Sequence, residues 1–254
     1  MKPCRTCKSK PIKNGIYLAK IQHFFEKSLP KTNKLYHEKS LNTYKIEMKG
    51  LKPNKKIFYF GTQSRDFTKP IQNFMTAYSN LKNSGVTKSD RNGKATFYLQ
   101  CPQVYRNENG KVYSRHFHFM YWNNKKNKWN KNVYTHQIFC DVHQTFVNKH
   151  LNNKNVIIID ALPSKFHNKK HIYGSINIPY TKKITSKMVI DEIKKKNKKY
   201  NGNKLIPIIV YCWSSKCNAA EKLNEKLNKL GFYNTVHYVD GISKWKGKTS
   251  SNLK

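Results

Sequence analysis

Cys212 and Cys217, in the run Cys212-Trp-Ser-Ser-Lys-Cys217, are the residues whose type and spacing best suit covalent chemistry. A thiolate is a strong nucleophile and attacks sulfur readily. A second thiol in the same loop can resolve the product by closing a disulfide. The bland alternative is a small cysteine buried at a strand end, the commoner arrangement for an intracellular thiol. What decides between them is the set of elements that hold the loop.

Upstream, Ile206, Ile208, Ile209, Val210 and Tyr211 form a short apolar run with Pro207 near its start. This predicts a buried strand. Downstream, Ala219, Ala220, Leu223, Leu227 and Leu230 recur at helical spacing. Asn218 with Glu221 reads as a capping pair, and Gly231 as the stop. A loop between a strand end and a helix start gathers backbone N–H groups that favour an anion. Cys212 is therefore expected to be an acidified thiol, with Trp213, Ser214, Ser215 and Lys216 lining a cradle for a small oxyanion.

Other motifs stand in order around this unit. Val156-Ile-Ile-Ile-Asp160 reads as a strand ending in a carboxylate. His171-Ile-Tyr-Gly174-Ser-Ile-Asn177-Ile-Pro179 follows, and Val239-Asp-Gly241-Ile-Ser-Lys-Trp245 comes after the helix. Together with Val210-Tyr-Cys212 these segments resemble the rhodanese (sulfurtransferase) family, over residues 135–254. The Cys-x4-Cys-Asn loop is similar to a subgroup that carries a second Cys where most members have Arg.

The resemblance implies an α/β fold, a parallel sheet with helices on both faces. The Cys212 loop would then lie at the C-terminal end of a central strand, where such sheets bind ligands. It also implies that Cys212 takes a sulfane sulfur from thiosulfate or a related small sulfur anion. A thiol, another nucleophile or a protein acceptor then receives it. Cys217 is expected to resolve the persulfide and Asp160 to orient the loop; neither a cofactor nor a metal is expected for this reaction. The chain departs from the family by lacking the loop Arg, by reading Asp160-Ala-Leu162 where the family has Asp-x-Arg, and by having Ser214 and Ser215 in place of Gly. Lys216 supplies charge without the two-pronged grip of Arg. These losses keep two other functions open. One is a catalytically inactive rhodanese-fold binding or scaffold protein with anionic or nucleic-acid partners. The other is a phosphatase- or arsenate-reductase-like enzyme, against which the missing Arg argues.

The 254 residues contain 50 Lys and Arg against 13 Asp and Glu, a formal charge of +37. Such a field attracts anions, whether nucleic acid or a small substrate. The excess runs along the whole chain with abundant Asn, which fits an AT-rich genome such as that of a eukaryotic parasite or a large DNA virus. No run is apolar enough to span a membrane, and the N-terminus lacks a secretory signal pattern. Six irregularly spaced cysteines do not suggest a disulfide framework. A cytoplasmic, reducing setting without membrane partners is expected.

Residues 1–35 are basic, and Cys4-x-x-Cys7 has the spacing of half a zinc site with no second pair to complete it. Residues 36–134 alternate short strands with turns, predicting a mostly-β, sandwich-like domain. Strands are expected at 42–51, 56–61, 95–101, 113–122 and 133–139, with a short helix at 71–81. His116 and His118 share one face of their strand, so both could ligate one metal, with Cys101 and Tyr105 near if the strands pair. They could equally pack among Phe117, Phe119 and Tyr121. The aromatic, basic segment 121–129 also suits stacking on single-stranded nucleic acid.

Overall fold

The computed structural model describes residues 12–13, 29–37 and 43–252, and the chain divides into two units, Met1–Ile138 and Phe139–Lys254. Cys4 and Cys7, and most of the basic segment 1–35, lie outside the described residues.

The first unit is organised by period-2 alternation. Its strands are β1 (Ile12–Lys13), β2 (Tyr36–His37), β3 (Thr43–Met48), β4 (Lys56–Gly61), β5 (Gln72–Asn73), β6 (Ser84–Lys88), β7 (Ala95–Gln100), β8 (Tyr105–Arg106), β9 (Val112–Tyr113), β10 (His116–Asn123), β11 (Lys128–Trp129) and β12 (Tyr134–Gln137). The main sheet runs β1-β12-β10-β4-β6-β2, with β11 paired to β10. The described pairs in it are antiparallel.

Successive side chains of a strand point to opposite faces. On one face, Tyr59, Phe117 and Phe119 meet Phe97 of the β3–β7 pair. On the other, Phe58, Phe60, Met120 and Trp122 pack with helix α1 (Phe74–Tyr78) and Tyr105 of the β5-β8-β9 sheet. Both faces are covered, so β10 is buried from His116 to Trp122. Asn73 caps α1 by accepting from Thr76 N at 3.0 Å.

Strand β6 is absent from the sequence reading because SGVTK carries little strand signal. Its Gly85 is dictated by packing: a Cβ there would lie 2.3 Å from Tyr59 Oη. Cys101 and Cys140 are each disulfide-bonded, whereas their irregular spacing suggested reduced thiols.

The second unit is a five-stranded parallel sheet in the order β13-β18-β17-β14-β16. These strands are β13 (Asp141–Val142), β14 (Ile157–Asp160), β16 (Ile176–Asn177), β17 (Ile208–Tyr211) and β18 (Thr235–Tyr238). A short antiparallel pair joins β15 (His171–Ile172) to β19 (Thr249–Ser250). The helices are α2 (Gln144–His150), α3 (Ser164–Lys169), α4 (Ser186–Lys196) and α5 (Ala219–Lys229). Central β17 is wholly buried, as a parallel strand covered on both faces must be, and it reads as continuous Ile-Ile-Val-Tyr. Helix α5 buries Ala220, Leu223 and Leu227 along with Asn224 and Asn228. Asn228 is accommodated by donating to Asn224 O at 3.0 Å and Thr235 Oγ1 at 3.1 Å.

Backbone geometry decides the helix caps, and it changes the expectation at Asn218. Thr185, not Ser186, caps α4, accepting from Met188 N at 3.3 Å. Asp141 lies in β13 and receives His237 Nδ1 at 3.0 Å, leaving His143 as the α2 cap position. Asn218 is at the α5 cap position but makes no side-chain capping bond, because its φ −98°, ψ 2° is not the extended geometry a cap uses. Among the described residues no helix is long and apolar enough to cross a membrane.

Candidate active site

Cys212 stands at the C-terminal end of β17, the middle strand, with α5 beginning seven residues later. The loop is held from behind by the Val239–Trp245 segment. Ile242 N donates to Cys212 O and Ser243 N to Trp213 O, both at 2.9 Å. Gly241 makes this close approach possible. Its φ is +67°, and a Cβ there would sit 2.5 Å from both the Cys212 and Trp213 carbonyl oxygens.

The loop also bonds to itself. Cys217 N donates to Ser214 O at 2.9 Å and Lys216 N to Ser214 Oγ at 3.3 Å. Two N–H groups expected to face an anion are therefore already engaged. Trp213 is 53% exposed and Lys216 is exposed, while Ser214, Ser215 and Cys217 are half-buried.

Cys212 itself is only 1% exposed. Its Sγ faces two carbonyls, Cys217 O at 3.4 Å and Ser214 O at 3.8 Å. Cys212 and Cys217 are both free thiols. Burial, then the Cys217 side chain, pushes the Cys212 thiol up to about 12, against the opposing pull of the Ala220 backbone. The sequence predicts an acidified thiol; in this closed geometry desolvation outweighs the helix start, and no guanidinium stands in the loop to reverse it.

Asp160, fully buried, ends β14 beside Tyr211. It accepts from Leu162 N at 2.9 Å, from His167 Nδ1 at 2.9 Å and from Tyr211 Oη at 3.1 Å. Tyr211 Oη in turn accepts from Ile172 N at 3.0 Å and meets Ser175 Oγ at 2.9 Å. His171 stacks on His167 at 3.9 Å and bonds to its carbonyl through Nδ1 at 2.8 Å. Asp160 thus ties β14, α3 and the His171 segment to the residue preceding Cys212. This is a positioning geometry. Sequence reasoning named Asp160 but missed His167 and Tyr211. Tyr211 was legible only as an apolar strand residue, and His167 carries no spacing signal.

In the first unit, His116 and His118 lie on the same face of β10, both buried. The hydroxyls of Tyr105 and Tyr78 approach His116 Nε2 to 3.3 Å and 3.4 Å. Tyr105 is thus the expected neighbour, and Tyr78 one the sequence did not suggest. Cys101 instead faces the Arg115 guanidinium at 3.6 Å. Burial pushes His116 down to about 4 and, with His116 beside it, His118 well below its ordinary value.

Residues 143–248 match the family model described as a rhodanese-like domain. No curated protein matches the chain. Among solved structures, the chain is similar to the BH2092 protein from Bacillus halodurans at 23% identity, over 45% of this chain and 78% of that one, with a TM-score of 0.35. An uncharacterized protein from Saccharomyces cerevisiae is similar at 20% identity, over 42% of this chain and 90% of that one, with a TM-score of 0.35. The Alr3790 protein from Anabaena sp. is similar at 17% identity, over 43% and 80%, with a TM-score of 0.33. Over residues 143–248, then, the chain is similar to rhodanese-like domains.

Proposed function

We propose that the second unit is a sulfurtransferase working through a persulfide on Cys212. The observation that carries this reading is the position of a free Cys212 at the end of the central parallel strand, with a second free thiol, Cys217, on the same loop. The Cys212 thiol attacks the outer sulfur of thiosulfate, the S–S bond of the donor breaks, and sulfite leaves. The products are the Cys212 persulfide and the sulfite dianion, the proton staying on the transferred sulfur. An acceptor thiol, free or on a protein, then takes the terminal sulfur and restores the Cys212 thiol. Alternatively the Cys217 thiol attacks the inner sulfur at Cys212, giving the Cys212–Cys217 disulfide and hydrogen sulfide, and two equivalents of a small thiol reduce it. Trp213, Ser214, Ser215 and Lys216 border the entry, Asp160 positions the strand end, and the +37 field draws the anionic donor inward. Because the resting thiol is buried and protonated, donor binding has to open the Ser214–Cys217 turn.

The closed turn favours one second reading, a non-catalytic rhodanese-fold module that binds an anionic partner, nucleic acid included. Intact-mass measurement separates the two. The reduced protein is treated with thiosulfate and then with 3-mercaptopyruvate, beside Cys212→Ser and Cys217→Ser. An adduct of about 32 Da that disappears in Cys212→Ser supports sulfur transfer. Greater accumulation in Cys217→Ser makes Cys217 the resolving thiol. No adduct from either donor on folded, reduced protein overturns the enzyme reading in favour of the binding module.

A further inference from the structure

Among the described residues no group of three or more His, Cys, Asp and Glu side chains is arranged to hold a metal ion. Outside the Cys212 loop, the gathering best suited to bind a metal draws on tyrosine. Tyr78 from α1, Tyr105 from β8, and His116 and His118 from β10 stand with ring centroids 4.8–6.0 Å apart around the group. All four are buried. We propose that these four side chains form a mononuclear metal site and that its metal is ferric iron.

Three observations carry the site. First, His116 Nδ1 lies 2.6 Å from Ser114 O. A carbonyl oxygen only accepts, so Nδ1 holds the ring proton and Nε2 presents its lone pair. That lone pair faces the place where both tyrosine hydroxyls converge, at 3.3 Å and 3.4 Å. These separations are long for an O–H···N bond, which settles near 2.8 Å. They match donors sharing one centre: with bonds of about 2.0–2.1 Å, neighbouring ligands stand about 2.9 Å apart at a right angle and about 3.4 Å at a tetrahedral one.

Second, His118 Nδ1 bonds to Thr135 Oγ1 at 2.8 Å. His118 also bonds to the Tyr134 backbone, so each imidazole is oriented by polar neighbours, as metal-bound histidines usually are. Third, the elements are held by pairing and capping and the surrounding side chains are apolar. The two histidines sit in mid-sheet, Tyr78 on a capped helix, and Tyr105 on a paired strand. Phe58, Phe60, Phe74, Met120 and Trp122 surround them.

The donor set selects the ion. Two tyrosine hydroxyls must each lose a proton, ordinarily near pH 10, to bind at neutral pH. A trivalent cation polarises them most strongly, and phenolate is a hard anionic oxygen that suits it, while imidazole also accepts iron. Loading Fe(III) onto two tyrosine hydroxyls and two neutral imidazoles releases two protons and changes no oxidation state.

The test uses the full chain. Protein from iron-supplemented medium, and metal-free protein titrated with Fe(III)-citrate, Zn(II) or Cu(II), are assayed for metal content, visible absorption and electron paramagnetic resonance. The expected result is one iron per chain, with a phenolate-to-Fe(III) charge-transfer band and a high-spin ferric signal. Tyr78→Phe and Tyr105→Phe keep the rings and remove only the hydroxyls. Each is expected to lower iron affinity at least tenfold and to shift or bleach the band. Tyr113→Phe, which stacks on Tyr105, is expected to keep both. Folded wild-type protein that takes up no metal overturns the proposal, as does iron and colour retained in both Phe variants. Stoichiometric Zn(II) or Cu(II) without iron overturns the ferric assignment. Should the variants fail to fold, resonance Raman of the wild-type band decides: tyrosinate ring modes support the site and their absence overturns it.

Discussion

The Cys212 loop and the Tyr78/Tyr105/His116/His118 cluster bring reactive groups together by opposite routes. The loop is contiguous: strand β17, the turn and helix α5 follow one another, and backbone geometry does the placing. The cluster is convergent. Its side chains come from three elements, two strands of different sheets and one helix, and packing does the placing. The first arrangement leaves its thiol dependent on a segment far along the chain, since Gly241 carries the loop from behind. The second depends on the sheet's register, because a slip of one residue along β10 would turn both histidines to the opposite face. Each site should therefore break through a different kind of change.

The largest expected effect is at Gly241. Gly241→Val adds a side chain where even a Cβ would lie 2.5 Å from two carbonyl oxygens, so the loop must shift. Sulfur loading of Cys212 by thiosulfate, read by intact mass, should fall about a hundredfold, the scale of a misplaced reacting group. Far-UV circular dichroism checks that the unit still folds. Unchanged loading would mean the loop is not held from behind.

Next, Phe97→Ala should destabilise the first unit by about 3–5 kcal/mol through cavity formation between the β3–β7 pair and the main sheet. Denaturant unfolding would measure it, and sulfur loading at Cys212 should be unaffected. His167→Ala in the second unit should cost about 3 kcal/mol, because it strips a partner from the fully buried Asp160. Asp160→Asn in the His167→Ala background should recover part of that loss, a double-mutant cycle that a mere cavity would not reproduce.

The pH dependence sharpens the contrast further. With its thiol pushed up to about 12, Cys212 should be alkylated by iodoacetamide slowly at pH 7, with the rate rising about tenfold per pH unit across the mildly alkaline range. For stability the sign follows from the raised value. The thiol's contribution is complete below its ordinary pKa of 9.0 and is lost as pH climbs from there towards about 12, because the unfolded chain ionises first. Cys212→Ala should flatten that part of the stability curve. A labelling rate already at its plateau at pH 7 would show that the thiol is acidified after all. The smallest effect is expected at Asn228→Ala, about 1 kcal/mol, for the lost bonds to Asn224 O and Thr235 Oγ1.

How much was legible divides along the same line. Apolar runs and helical spacing gave β14, β17 and α5, and with them the place of Cys212, because each signal lies within a few consecutive residues. In the first unit, alternation of Tyr44, Ile46 and Met48 gave β3 and the apolar run within Lys56–Gly61 gave β4. Strand β6 escaped because its Gly85 and polar residues answer to the Tyr59 side chain crossing it. Asn224 and Asn228 lie outside the apolar pattern of α5 yet are buried, and the partners of Asn228, Asn224 O and Thr235 Oγ1, are set by packing that no local spacing encodes.

The sequence by itself determined the strand–loop–helix that carries Cys212, the position of Asp160 at a strand end, and the His116/His118 pair on one face, all properties of local periodicity. Tertiary structure decided the rest. It buried the Cys212 thiol and so set its protonation, since desolvation depends on everything packed around a group. It also gave Asp160 the partners His167 and Tyr211, and carried Tyr78 and Tyr105 to His116 from 38 and 11 residues away, contacts that no local spacing encodes.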